Sequence, residues 1–167
     1  MEFLLTAPWP LRLAFIAAFL YGMTAVLTGL SFVIQHRCAA YRIFAVPLRP
    51  GQHRRELRNS VVFQALATLA FTAFLGSDLI TWTDGWGPGM ITFFACWYGF
   101  EVYYYLLHRL MHHRGFIRFH REHHESHVNT PLTAFSMSIP EGLGWLVGYT
   151  FVPLTMAQLG VGVSLAG

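Results

Sequence analysis

Lysine is missing from the chain altogether, and charge of either sign is sparse: 11% of the 167 residues are charged, against 54% hydrophobic. Soluble domains carry about 25% charged residues. Together with a mean hydropathy of +0.45, the composition excludes that class and leaves an integral membrane protein. Only two cysteines occur, Cys38 and Cys96. Neither stands in a CxxC pair and they fall at different predicted depths, which argues against a disulfide or a thiolate metal site and leaves nitrogen and oxygen as available ligands. There is no internal repeat and no low-complexity tract. The N-terminus has neither the basic stretch nor the small-residue cleavage site of a signal peptide, so its apolar run reads as a retained helix.

What is present is apolar sequence in four runs. Leu13 to Ile34 carries no charge and is long enough to cross about 30 Å of hydrocarbon, with Pro10 preset for the first helical turn. Val61 to Leu79 leads into Asp84 and the turn-forming Gly85-Trp86-Gly87-Pro88-Gly89. Met90 to Leu107 ends in histidines, and Gly142 to Leu165 is glycine-rich and interrupted by Pro153. In lipid the backbone must satisfy its own hydrogen bonds. The runs therefore predict an all-α fold, a single membrane domain over 1–167 with about four transmembrane helices and a histidine-rich helical segment outside the bilayer. Six arginines (Arg37, Arg42, Arg49, Arg54, Arg55, Arg58) lie between the first two runs and four more (Arg109, Arg114, Arg118, Arg121) among the histidines. The positive-inside rule makes both segments cytoplasmic and puts the N-terminus and the Asp78/Asp84 loop on the other side. The expected location is a multi-pass position in a bacterial inner membrane. The arginines read as topology, and no nucleic acid is expected as a partner.

Seven of the nine histidines fall in HRLMHHRGFIRFHREHHESH, His108 to His127, where even scatter would leave about one. His108 and His112 are i and i+4, so both rings share a face if the third helix continues past the membrane surface. His120, His123 and His124 repeat the logic: His120 and His123 share a face, and His124 is rotated by one residue, within reach of a second ion. His113 and His127 are further ligands or donors to ligands. Imidazole suits iron, zinc, copper or nickel, so spacing leaves the metal open. A solvated histidine tract is the plain alternative, but two sets at helical spacing beside a membrane boundary favour a metal site.

These motifs resemble a known family. HRLMH (His108 to His112), FHREHH (Phe119 to His124), the segment LTAFSMSIPE (Leu132 to Glu141) and the aromatic lead-in EVYYYLLH are similar to the sterol desaturase and fatty acid hydroxylase superfamily, over roughly residues 95–145. The resemblance implies a membrane oxygenase with histidine-ligated di-iron, in which dioxygen and an external electron-donor protein serve to hydroxylate or desaturate a lipid of sterol or fatty acyl type. It implies His108, His112, His120, His123 and His124 as ligands. Glu101, seven residues before His108 and hence on its helical face, is expected to orient a ligand imidazole. Glu141, after Pro140, matches a family acid, with a helix-start carboxylate as its plain reading. The tyrosines Tyr103 to Tyr105 read as interfacial anchors.

Members of that family carry further histidine boxes after another membrane segment, whereas no histidine follows His127 here. The expectation is therefore the N-terminal part of such an enzyme, its remaining ligands supplied from elsewhere. Two other classes stay open: a zinc-binding membrane hydrolase or metal-binding protein, and a non-catalytic truncated family member.

Overall fold

Apolar sequence with few side chains able to pair the backbone folds into helices that close their own hydrogen bonds. The computed structural model describes residues 2–41 and 46–165. Its helices are α1 (Glu2–Thr6), α2 (Trp9–Arg37), α3 (Gln52–Leu75), α4 (Trp86–Met111), α5 (Ile117–His124) and α6 (Ile139–Gln158), with single 3-10 turns at Ala39–Tyr41 and Thr133–Phe135. Arg42 of the predicted basic loop lies outside the described residues. Helix α2 packs on α3, α3 on α6 and α6 on α4, so the long helices stand side by side in the order α2, α3, α6, α4. By length and composition α2 and α3 are long and apolar enough to cross a membrane.

The helices depart from the apolar runs in informative ways. The second begins at Gln52, nine residues before Val61, because its first turns bury a polar face against another part of the protein. Arg54, Arg55 and Arg58 are consequently helical instead of belonging to the connection. It ends at Leu75, before Leu79, with Gly76 as its cap. The third starts inside the expected turn, where Pro88 sits in the first helical turn and needs no amide hydrogen there, and runs on to Met111. The fourth stops at Gln158. Beyond it Gly160 takes φ +72°, and the chain turns so that Val163 pairs with Trp82 while the Thr83 amide donates to the Val163 carbonyl at 2.8 Å.

Arg12 is buried although it sits in the first turn of an apolar helix. Its guanidinium donates to the carbonyls of Leu4 and Leu5, both at 2.7 Å, in the last turn of α1, where acceptors are left without helical partners, and to that of Ala7 just beyond it at 3.1 Å. On the far side of the row, α4 and α6 approach closely through glycine. The Tyr103 hydroxyl donates to the Gly144 carbonyl at 2.7 Å, and a Cβ at Gly148 would lie 2.4 Å from the Tyr103 ring. Small residues at this spacing let helix backbones approach where lipid offers no hydrophobic drive. Phe100 then stacks on Tyr149, with ring centroids 4.2 Å apart, and Tyr104 on Trp145 at 4.8 Å. Tyr103 and Tyr104 thus pack against α6.

Candidate metal centre

The last turn of α4 carries His108, and His112 caps the helix, so the i, i+4 relation survives to the end and brings the two Nε2 atoms to 3.1 Å. A turn built on the His113 carbonyl, which accepts from the amides of Phe116 and Ile117, then reverses the chain into α5. This sets the His120 ring 4.7 Å from that of His108 and 5.0 Å from that of His112. One nitrogen from each of these three residues lies within 4.8 Å of the others. The His124 ring is 4.5 Å from His120 and 5.0 Å from His112, and that of His123 is 5.3 Å from His120. The His124 ring, expected one residue's rotation from the His120/His123 face, lies nearer to His120 than that of His123 does. On a short helix the i, i+4 pair His120 and His124 shares the closer face, and His123 lies on the flank.

His120 is fully buried, and its Nδ1 lies 2.8 Å from Oε1 of Glu141, whose pKa burial raises to about 7. With the Glu141 carboxyl ionised, Nδ1 carries the hydrogen and Nε2 is the free lone-pair atom, and Nε2 is buried with no hydrogen-bond partner. A buried acceptor without a donor is costly; one that faces two other imidazole nitrogens fits a cation. Burial, and after it the neighbouring His124, His108, His123 and His112, push the His120 pKa down to about 3. The ring is therefore neutral at pH 7, the form that binds metal. Burial also lowers the pKa of His123, against a raising contact with the Ser136 backbone.

Glu141 is placed by the start of α6. The Ser138 hydroxyl caps that helix by accepting from the Glu141 amide at 3.3 Å, and donates to the Phe119 carbonyl at 2.6 Å, tying α6 to the histidine helix. Glu101, by contrast, is exposed on α4. Two helical turns separate it from His108, about 10 Å along the axis, too far for its carboxylate to reach the ring. The acid that meets a ring of the cluster is Glu141, and the expected contact of Glu101 with a ligand imidazole is not made. His113 and His127 are exposed and lie outside the ring cluster.

Beside the histidines lies a cavity of about 140 Å³ walled by Phe63, Phe100, Tyr104, Trp145 and Tyr149, with His108, His120, His123 and Glu141 also on its lining. Neither Phe63 nor the polar first turns of α3 were singled out by sequence reasoning. The available signal was the run of polar residues at Gln52, Glu56, Asn59 and Ser60, one helical face ahead of an apolar segment.

Residues 93–166 match the model of the fatty acid hydroxylase family. The match covers 74 of the 167 residues, and over that segment the chain is similar to the family. Neither the curated proteins nor the solved structures yielded a match to the chain. The resemblance carried by HRLMH and FHREHH is thus borne out, and the fatty acid hydroxylase segment runs past the expected 145 to 166. It holds all seven clustered histidines, Glu141 and most of the cavity wall, while Phe63 and the rest of α3 precede it.

Proposed function

We propose that the protein is a membrane-bound, iron-dependent oxygenase that hydroxylates or desaturates a lipid of sterol or fatty acyl type. The observation that carries this reading is the buried, unpartnered Nε2 of His120, held in place by Glu141 and converging with His108 and His112 beside an aromatic cavity. His108, His112, His120 and His124 would hold the metal, with His123 on the cavity flank. A di-iron centre would need nitrogen or oxygen donors beyond these five imidazoles. Iron, when bound, supplies the activation of dioxygen.

The chain's own residues do the rest. Glu141 accepts from Nδ1 of His120 and keeps the lone pair of Nε2 turned toward the cluster. The stacked pairs Phe100/Tyr149 and Tyr104/Trp145 form rigid walls that exclude water and hold an apolar chain segment next to His108 and His123. In hydroxylation one oxygen atom enters the C–H bond and the other leaves as water, which consumes two electrons and two protons. A separate electron-donor protein at the histidine side is the proposed source. Membranes of cells expressing the protein and exposed to ¹⁸O₂ are expected to contain a lipid carrying one ¹⁸O, detected by mass spectrometry, or a new double bond. Neither product, with zinc as the only bound metal, would move the assignment to a zinc hydrolase.

Helices α4 and α6, about 39 and 30 Å long at 1.5 Å per residue, are proposed to cross the bilayer with α2 and α3, leaving the histidines in the cytoplasm of a bacterial inner membrane. Single cysteines at Arg54 and Glu125, in a chain lacking Cys38 and Cys96, are expected to resist a membrane-impermeant thiol reagent in intact cells, and one at Asp84 to react. The reverse pattern would invert the topology.

A further inference from the structure

Glu56 is a carboxylate with no exposed surface, in a helix that precedes the fatty acid hydroxylase segment. Among the described residues no arginine pairs with it, and the cation candidate beside it is the half-exposed His53, whose Nδ1 is 3.9 Å away. Such a group is tolerated in the interior only when hydrogen bonds replace water, and here they do. Gln52 Nε2 donates to it at 2.8 Å, Thr130 Oγ1 at 2.6 Å and Thr133 Oγ1 at 3.0 Å. The two threonines are in turn built into the chain's own turn. Thr133 Oγ1 accepts from the Thr130 amide at 2.9 Å, and Thr130 Oγ1 from the Leu132 amide at 3.1 Å. Gln52 Nε2 also donates to the Val128 carbonyl at 2.7 Å. One carboxylate thus organises residues 128–133.

That turn leads directly into the site. Ala134 and Phe135, next in the chain, line the cavity with His120 and His123, and the Ser136 backbone contacts His123. One turn further along α3, Asn59 donates to Glu122 Oε1 at 2.8 Å and to Ser136 Oγ at 3.4 Å. Glu122 lies on α5 between His120 and His123. The segment between α5 and α6 has no regular structure except the 3-10 turn Thr133–Phe135, and connections of this length wander unless something holds them. Gln52, Glu56 and Asn59 share one face of α3 at i, i+4 and i+7.

We propose that Glu56, supported by Gln52 and Asn59, is a positioning residue for the histidine centre: it fixes the 128–136 segment so that α5 presents His120 and His123 at the right place and the cavity wall stays closed. This rests on reading the histidines as a metal centre, and the test separates the two. The full chain in mild detergent is titrated with Co²⁺ alone as the optical probe, and the metal-free protein is followed by amide hydrogen exchange. Glu56→Gln keeps the shape but turns an amide N–H₂ toward one of the threonine hydroxyls. It is expected to leave helical content unchanged, speed exchange in residues 126–136, weaken Co²⁺ binding about tenfold and change the shape of the Co²⁺ ligand-field spectrum. A folded Glu56→Gln protein with native exchange, or with faster exchange but native Co²⁺ affinity and spectrum, overturns the proposal. If Glu56→Gln does not fold, Thr133→Val removes a single donor and is read the same way. A wild-type chain that binds no Co²⁺ defeats the metal reading. Exchange then still decides whether Glu56 holds the segment, and native exchange in the variant defeats that too.

Discussion

His120→Ala is expected to empty the metal centre. Structural metal sites with about four ligands release about 10–16 kcal/mol on binding, so one ligand accounts for about 3 kcal/mol and its loss for at least a 100-fold drop in affinity. The drop should sit at the high end for His120, since its Nε2 is the buried and unpartnered atom of the three converging nitrogens. Glu141→Gln is the graded companion. The ring remains, but its carboxylate acceptor at 2.8 Å becomes an amide, which should weaken binding by about 10- to 100-fold. Elemental analysis of protein purified without a histidine tag, together with a Co²⁺ titration, reads both. Native metal content in His120→Ala would remove the centre from this cluster. Equal loss in both variants would mean that Glu141 supports the fold instead of the ligand.

The second large effect is expected at the α4/α6 contact. Gly148→Ala places a methyl group 2.4 Å from Tyr103 Cδ1 and 2.5 Å from Cε1, on a ring whose hydroxyl is already tied to the Gly144 carbonyl. The ring cannot withdraw without giving up that bond, so overpacking and the lost bond together should cost about 3 kcal/mol. Gly22→Ala is the control: its Cβ meets nothing within 4 Å, and the better helix former should be neutral or stabilising by up to about 1 kcal/mol. Thermal unfolding in detergent, followed by circular dichroism, distinguishes them. Equal midpoints would show that α4 and α6 do not approach through Gly148.

The grouping of His108, His112 and His120 was legible because a metal site needs particular side chains at particular helical intervals, and both are written in the order of residues. The pair His108/His112 required only that α4 continue, which it does. How α5 folds back was not legible. The turn at His113–Phe116 decides which of the His120, His123 and His124 rings faces α4, and no interval within HREHH contains that information. The same limit explains Glu101 and Glu141. A spacing of seven along one helix suggested Glu101, whereas the acid that meets His120 arrives from another helix, by way of the Ser138 cap. The polar face of α3 was hidden for a different reason. Gln52, Glu56 and Asn59 stand beside Arg54, Arg55 and Arg58, and a stretch so polar reads as a solvated loop until its hydrogen-bond partners some seventy residues away are placed.

The ring cluster has two unlike sides. His112 and His124 are exposed, while His120 is sealed and the opposite flank meets the aromatic cavity. If the cluster holds a cation, its exposed side would let that cation enter and leave without passing through the cavity. On the proposed reading, loading would belong to one side and cargo to the other, and a water-soluble chelator is expected to strip the ion from the folded chain while an apolar molecule stays in the cavity.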